Sequence, residues 1–114
     1  MKNEEIGFNK EDKSFLLNNQ LSYAFFKRAV DFFKRKKYFD CLETVELAIK
    51  YNPIDAAFFS FKAFVLGIFL KDYKIALKEV NKALKLNPQL EPANFLKEHL
   101  IKLHFANQIY NFYI

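Results

Sequence analysis

Apolar side chains recur along this chain at steps of three and four, and between residues 36 and 88 they do so twice in the same order. The stretch KKYFDCLETVELAIKYNP, residues 36–53, is echoed 35 positions later by KDYKIALKEVNKALKLNP, residues 71–88. Tyr38 matches Tyr73, Cys41 matches Ala76, Leu42 matches Leu77, Val45 matches Val80, Ala48 matches Ala83 and Ile49 matches Leu84. Such spacing gathers these positions on one face of a helix. The small residues at 41, 48, 76 and 83 mark places where another helix comes close. Each copy then closes on Asn-Pro, where proline lacks the N–H that would continue the helix and forces its predecessor out of the α region.

The segments ahead of the two copies also repeat, at an offset of 34: Phe25 with Phe59, Ala29 with Ala63 and Phe32 with Leu66. An offset of 35 there would set small Ala29 against Phe64 and large Phe32 against Gly67, so one residue is inserted between Leu66 and Tyr73. Each unit is expected to be a helix, a tight polar turn and a second helix. After Pro88, Glu91-Pro92 gives a helix start with proline in the first turn. Apolar residues at 96, 100, 103, 106 or 109, 110 and 113 then read as one long helix. At the other end, SFLLNNQLSYAFF either starts the first helix at Ser14 or forms a separate covering turn. Residues 1–13 read as a flexible lead, and 14–114 as one all-α domain of about five antiparallel helices.

A 34-residue helix-turn-helix unit ending in proline, with small residues at its eighth, twentieth and twenty-seventh positions, resembles the tetratricopeptide repeat (TPR). Counted from Ser22, the first unit has Phe25, Ala29, Phe32, Tyr38, Cys41, Val45, Ala48 and Pro53 at the signature places. The second, counted from Ala56, has Phe59, Ala63, Leu66, Tyr73, Ala76, Val80, Ala83 and Pro88. Arg28 and Lys62 stand where the family prefers Leu, and Lys36 where it prefers Gly. The resemblance implies an α-solenoid with repeats over about 22–55 and 56–90, closed by a capping helix over about 91–113. It also implies a non-enzymatic protein-binding role, because first helices of successive TPR units line a concave groove.

The first helix carries a second apolar stripe, Tyr23, Phe26, Val30 and Phe33, which the resemblance turns toward that groove. Ala57, Ser60, Phe64 and Ile68 would continue the wall, followed by Phe95, His99 and Lys102 from the terminal helix. Some TPR domains hold a chaperone's C-terminal carboxylate with Lys and Asn at places occupied here by Phe26, Val30 and Phe61, so that ligand is not expected. An aromatic groove suits an amphipathic helix or an apolar extended peptide of a partner protein. Two other uses of the same surface stay open: filling by the chain's own N- or C-terminal segment, and homo-oligomerisation through the terminal helix.

Composition narrows the chemistry further. Only two Gly and three Pro interrupt 114 residues, too few turn-makers for a many-stranded sheet. A single cysteine, Cys41, forms no internal disulfide and sits at a helix-packing position, as structural filler rather than nucleophile. The N-terminal stretch is charged where a signal peptide would need an apolar run, and the apolar run Ala56–Leu70 is short and interrupted by Lys62, so no membrane span and a cytoplasmic location are expected. With Gly7 and Gly67 alone, no glycine-rich loop can cradle a phosphate; His99 and His104 point to different helix faces, so neither metal nor cofactor is expected. The thirteen carboxylates are scattered, Glu43, Glu46 and Glu79 on outer faces, with no pair set up for acid-base catalysis. The net charge of +5 comes from sixteen Lys and two Arg. Lys71, Lys74, Lys78, Lys82 and Lys85 are expected to run down one side of the second unit's last helix, a solvated face more readily than a nucleic-acid stripe, since few aromatic residues interleave them.

Overall fold

The computed structural model describes residues 10–113, in which the regular structure is helical and contains no strand. The elements are α1 (Lys10–Lys34), α2 (Tyr38–Tyr51), α3 (Ala56–Phe64) continued by a π-helical turn (Val65–Phe69), α4 (Tyr73–Leu86) and α5 (Glu91–Tyr113). Helix α1 runs unbroken because no Gly or Pro falls within it, and buried Ser22 donates its hydroxyl proton back to the Asn19 carbonyl at 2.9 Å. It starts four residues ahead of Ser14, so residues 10–13 of the expected flexible lead form its first turn, and SFLLNNQLSYAFF is its body rather than a separate cover. The rest of that lead, residues 1–9, lies outside the described residues. No described helix is long and apolar enough to cross a membrane.

Short turns fold α1 back on α2 and α3 back on α4, and the two turns are built alike. Lys36 and Lys71, 35 positions apart, both take left-handed backbone angles, with φ of 63° and 61°. The Lys37 N–H donates to the Phe32 carbonyl at 2.9 Å, and its counterpart Asp72 donates to Leu66 at 2.9 Å across one more residue. That extra residue is the insertion read from the sequence, and the chain absorbs it as the π-helical turn, where Leu70 N–H donates to Val65 at 3.1 Å. Single π turns of this kind accommodate one residue without breaking the helix. The repeated Asn-Pro also has nearly one structure: Asn52 and Asn87 leave the helix with φ of −151° and −145°, donating their N–H groups to Ala48 and Ala83 respectively. Asp55 and Asp72 then cap the following helices by accepting from Ala57 and Ile75 N–H groups at 3.0 and 3.3 Å.

Two apolar clusters form the interior. Ala29, Cys41, Val45 and Ala48 join α1 to α2, and Phe58 and Val65 reach over from the second hairpin to complete that cluster. Ala63, Ala76, Val80 and Ala83 join α3 to α4, and α5 adds Ala93, Leu96 and Leu100. Every small residue that the repeat pattern marked as a close approach, from Ala29 to Ala83, has no exposed surface. Gly67 belongs with them, since a β-carbon there would run into the Leu100 side chain and come within 3.0 Å of Ala76. Its missing side chain is what lets α5 lie down on the end of the second hairpin.

Two expectations fail. Glu79, expected on an outer face, is only 6% exposed on the inner side of α4. It is drawn inward by Lys62, whose ammonium pairs with Glu46 of α2 and lies 3.5 Å from Glu79 Oε1. Lys71, expected to head the lysine stripe along the last helix, lies in the turn before α4.

Candidate functional site

The inward edge of α1 meets α3 through rings. Phe26 packs on Phe58 and Phe61 with centroids 4.9 and 5.3 Å away, and Phe33 packs on Phe61, Phe64 and Phe69 at 5.7, 5.8 and 5.0 Å. Tyr38 closes the seam against Phe69 at 5.2 Å. Most of these contacts are edge-to-face or tilted, the arrangement that ring quadrupoles favour. Between α1 and α3 the hollow is therefore filled by the protein's own side chains.

One step further along, between α3 with its π turn and α5, the surface opens into an apolar hollow of about 530 Å³. Ala57, Ser60, Phe61, Phe64 and Ile68 form one wall, and Leu90, Pro92, Phe95, Leu96 and His99 form the other. The hydroxyl of Ser60 and the imidazole of His99 are the polar side-chain groups of this lining. Phe95 stands at the rim, 77% exposed among the described residues.

Of the residues proposed from the sequence, Ala57, Ser60, Phe64, Ile68, Phe95 and His99 line this hollow together. Tyr23, Phe26 and Val30 line a separate, smaller depression of about 280 Å³ on α1, beside Lys27, Asp31 and Lys34. Phe33 lines neither, because it is spent in the ring seam, and Lys102 is exposed outside both. Phe61, Leu90, Pro92 and Leu96 also line it and were not expected in the wall. Phe61 follows Ala57 by four residues and precedes Phe64 by three, so helical spacing marks it; Leu90 and Pro92 belong to an interhelical turn that carries no such period.

Comparison with known protein families, characterised proteins and solved structures finds no match. The chemistry is therefore read from the geometry. The hollow can exclude water from an apolar side chain or a short apolar helix face, and it offers one hydroxyl and one imidazole to orient a polar edge. Among the described residues no group of three His, Cys, Asp or Glu side chains comes together as a metal site would need. Cys41 has no exposed surface, and burial pushes its thiol up to about 11, so at neutral pH it is protonated and unreactive.

The Glu46–Lys62–Glu79–Lys82 row lies apart from the hollow and ties elements together. Lys62 of α3 bridges the second helices of both hairpins, and Lys82 reaches Glu79 Oε2 at 3.3 Å. Of the lysines expected to form a basic stripe, Lys82 thus has a carboxylate partner, while Lys74, Lys78 and Lys85 are exposed.

Proposed function

We propose that this chain is a TPR-like, non-enzymatic interaction module that holds an apolar helix or extended segment of a partner protein in the hollow between α3 and α5. The observation that carries the reading is the preformed, open, aromatic-walled hollow, with Phe61, Phe64 and Phe95 around it and two polar side chains in its lining. The TPR-like reading is supported by the two equivalent turns at Lys36 and Lys71 and by the complete burial of Ala29, Cys41, Val45, Ala48, Ala63, Ala76, Val80 and Ala83. Burying an exposed Phe-sized anchor against such walls contributes roughly 1.5–3 kcal/mol, enough for a few anchors to dominate affinity.

The test is selection of peptides from a random library on the wild-type protein, followed by affinity measurement on Phe95→Glu. Phe95 is largely exposed, so the variant folds, and apolar peptides should bind it at least about 30-fold more weakly. The chain has no tryptophan, so Phe95→Trp makes a lone fluorophore whose emission should shift blue as a peptide covers it. Selection of acidic ligands alone, bound with steep salt dependence and indifferent to Phe95→Glu, would replace this reading with one based on the exposed lysines.

A further inference from the structure

Helix α5 changes sides along its length. As far as Leu100 its apolar face, Ala93, Leu96 and Leu100, is buried against the second hairpin. Continuing that face by helical spacing brings His104, Asn107 and Asn111, which are polar. From residue 101 on, an apolar stripe lies on the opposite side: Ile101, Phe105, Ile109 and Phe112, at steps of four, four and three, all exposed, while Tyr110 and Tyr113 are exposed on a third side. Among the described residues none covers this second stripe, and Phe105 is 66% exposed. The final nine residues of the helix, FANQIYNFY, also carry no charge in a chain that is 27% charged.

We propose that the second stripe of α5 pairs with the same stripe of a second copy of this chain, antiparallel, around a twofold axis near residue 107. The stripe is self-complementary in that arrangement and less so in a parallel one. Run antiparallel, Ile101 meets Phe112 and Phe105 meets Ile109, so every layer sets one aliphatic against one aromatic side chain. Run parallel, like meets like, and Phe stacks on Phe in two of the four layers. Charge points the same way. Copies carrying +5 each repel one another, yet the pairing surface is neutral, and the nearest charges, Lys97, Glu98 and Lys102, sit at opposite ends of the antiparallel pair. The four side chains leave on the order of 450 Å² uncovered per copy, about 900 Å² in a pair, close to the ~1,000 Å² that a specific interface needs before flanking groups are added. Phe95 and His99 lie about a third of a turn round the helix from this stripe, so a dimer keeps both hollows open and holds them about one shared axis.

Sedimentation velocity of the full chain over a wide concentration range tests the pairing. The wild type should shift from monomer to dimer, and Phe105→Glu should move the midpoint upward at least about 30-fold with an unchanged helical circular dichroism spectrum and melt. Orientation is read separately with Ile101→Cys and Phe112→Cys and a short thiol crosslinker; native Cys41 is buried and does not compete. A mixture of the two variants should crosslink, and each alone should not. A chain that stays monomeric, a dimer indifferent to Phe105→Glu, or crosslinking of each variant with itself would overturn the proposal. None of these outcomes bears on peptide binding at Phe95.

Discussion

Replacing Lys62 by leucine, the residue a TPR would carry there, should destabilise the protein, although it adds apolar surface to the helix interface. The Lys62 side chain is 18% exposed and its ammonium faces Glu46 and Glu79. Lys62→Leu leaves Glu79, 8% exposed at its side chain, with Lys82 as its remaining cation, and takes the Lys62 charge away from Oε1, which has no hydrogen bond in the native protein. Breaking a buried ion pair from one side costs about 3–5 kcal/mol. Lys82 at 3.3 Å, itself half exposed, offsets part of that, so about 2–3 kcal/mol is expected, or a fall in Tm on the order of 10 °C for a chain of this size. Removing both charges reverses the sign: Lys62→Leu with Glu79→Leu should be neutral or stabilising by about 1 kcal/mol or more. Glu46 is half exposed, and Glu46→Ala should cost less than about 1 kcal/mol. Urea unfolding of the wild type, Lys62→Leu, Glu79→Leu and the double variant, monitored by circular dichroism, gives the double-mutant cycle. A neutral or stabilising Lys62→Leu, or additivity of the two leucine substitutions, would refute the argument that Glu79 is held inside by Lys62.

Gly67→Ala should cost about 1–3 kcal/mol, because the added methyl meets Leu100 and Ala76, and the resulting loosening of α5 should show as faster amide exchange around Leu96–Leu100. Lys36→Gly and Lys71→Gly should each raise stability by about 0.5–1 kcal/mol, additively, since both lysines hold left-handed geometry that glycine adopts without strain; urea midpoints check this. Phe33→Ala should cost about 3 kcal/mol, contrary to a purely partner-facing role, because its ring touches Tyr38, Phe61, Phe64 and Phe69; a thermal melt reads it directly. Cys41 contributes a pH dependence of known sign: its folded-state pKa is raised, so that contribution to stability is complete below the ordinary thiol value near 9 and is lost as pH rises toward about 11. Alkylation of Cys41 should accordingly be slow in the native protein at neutral pH and fast in urea.

The repeat was legible because packing imposes it on residue size. Ala29, Ala63, Cys41, Ala76, Ala48 and Ala83 must be small for helices to approach, and all are fully buried. Even the one-residue offset was visible, since Phe32 and Leu66 are equivalent while the left-handed Lys36 and Lys71 are one residue further apart. Most of the candidate wall was legible for the same reason: Ala57, Ser60, Phe64, Ile68, Phe95 and His99 follow helical spacing. What the pattern could not give was which of two apolar stripes on α1 the neighbouring hairpin consumes. Phe33 is taken up by rings from α3 and the π turn, a contact between residues distant in sequence that periodicity along one helix does not encode. Glu79 misled for a related reason, because a buried carboxylate is recognisable only once its cation, 17 positions away on another helix, is known. In α5 a single apolar series was read where two opposed stripes exist, since steps of three and four alone tolerate a slow drift around the helix.

The central claim is that an apolar partner segment sits between α3 and α5. Its most direct test is NMR of the protein with labelled aromatic rings, titrated with a peptide selected on the wild type. The account predicts the largest shifts, and contacts to the peptide, at Phe61, Phe64, Phe95 and His99, with Tyr23 and Phe26 little changed. Shifts centred on Tyr23 and Phe26 with Phe95 silent would contradict it and move the binding surface to the smaller depression on α1.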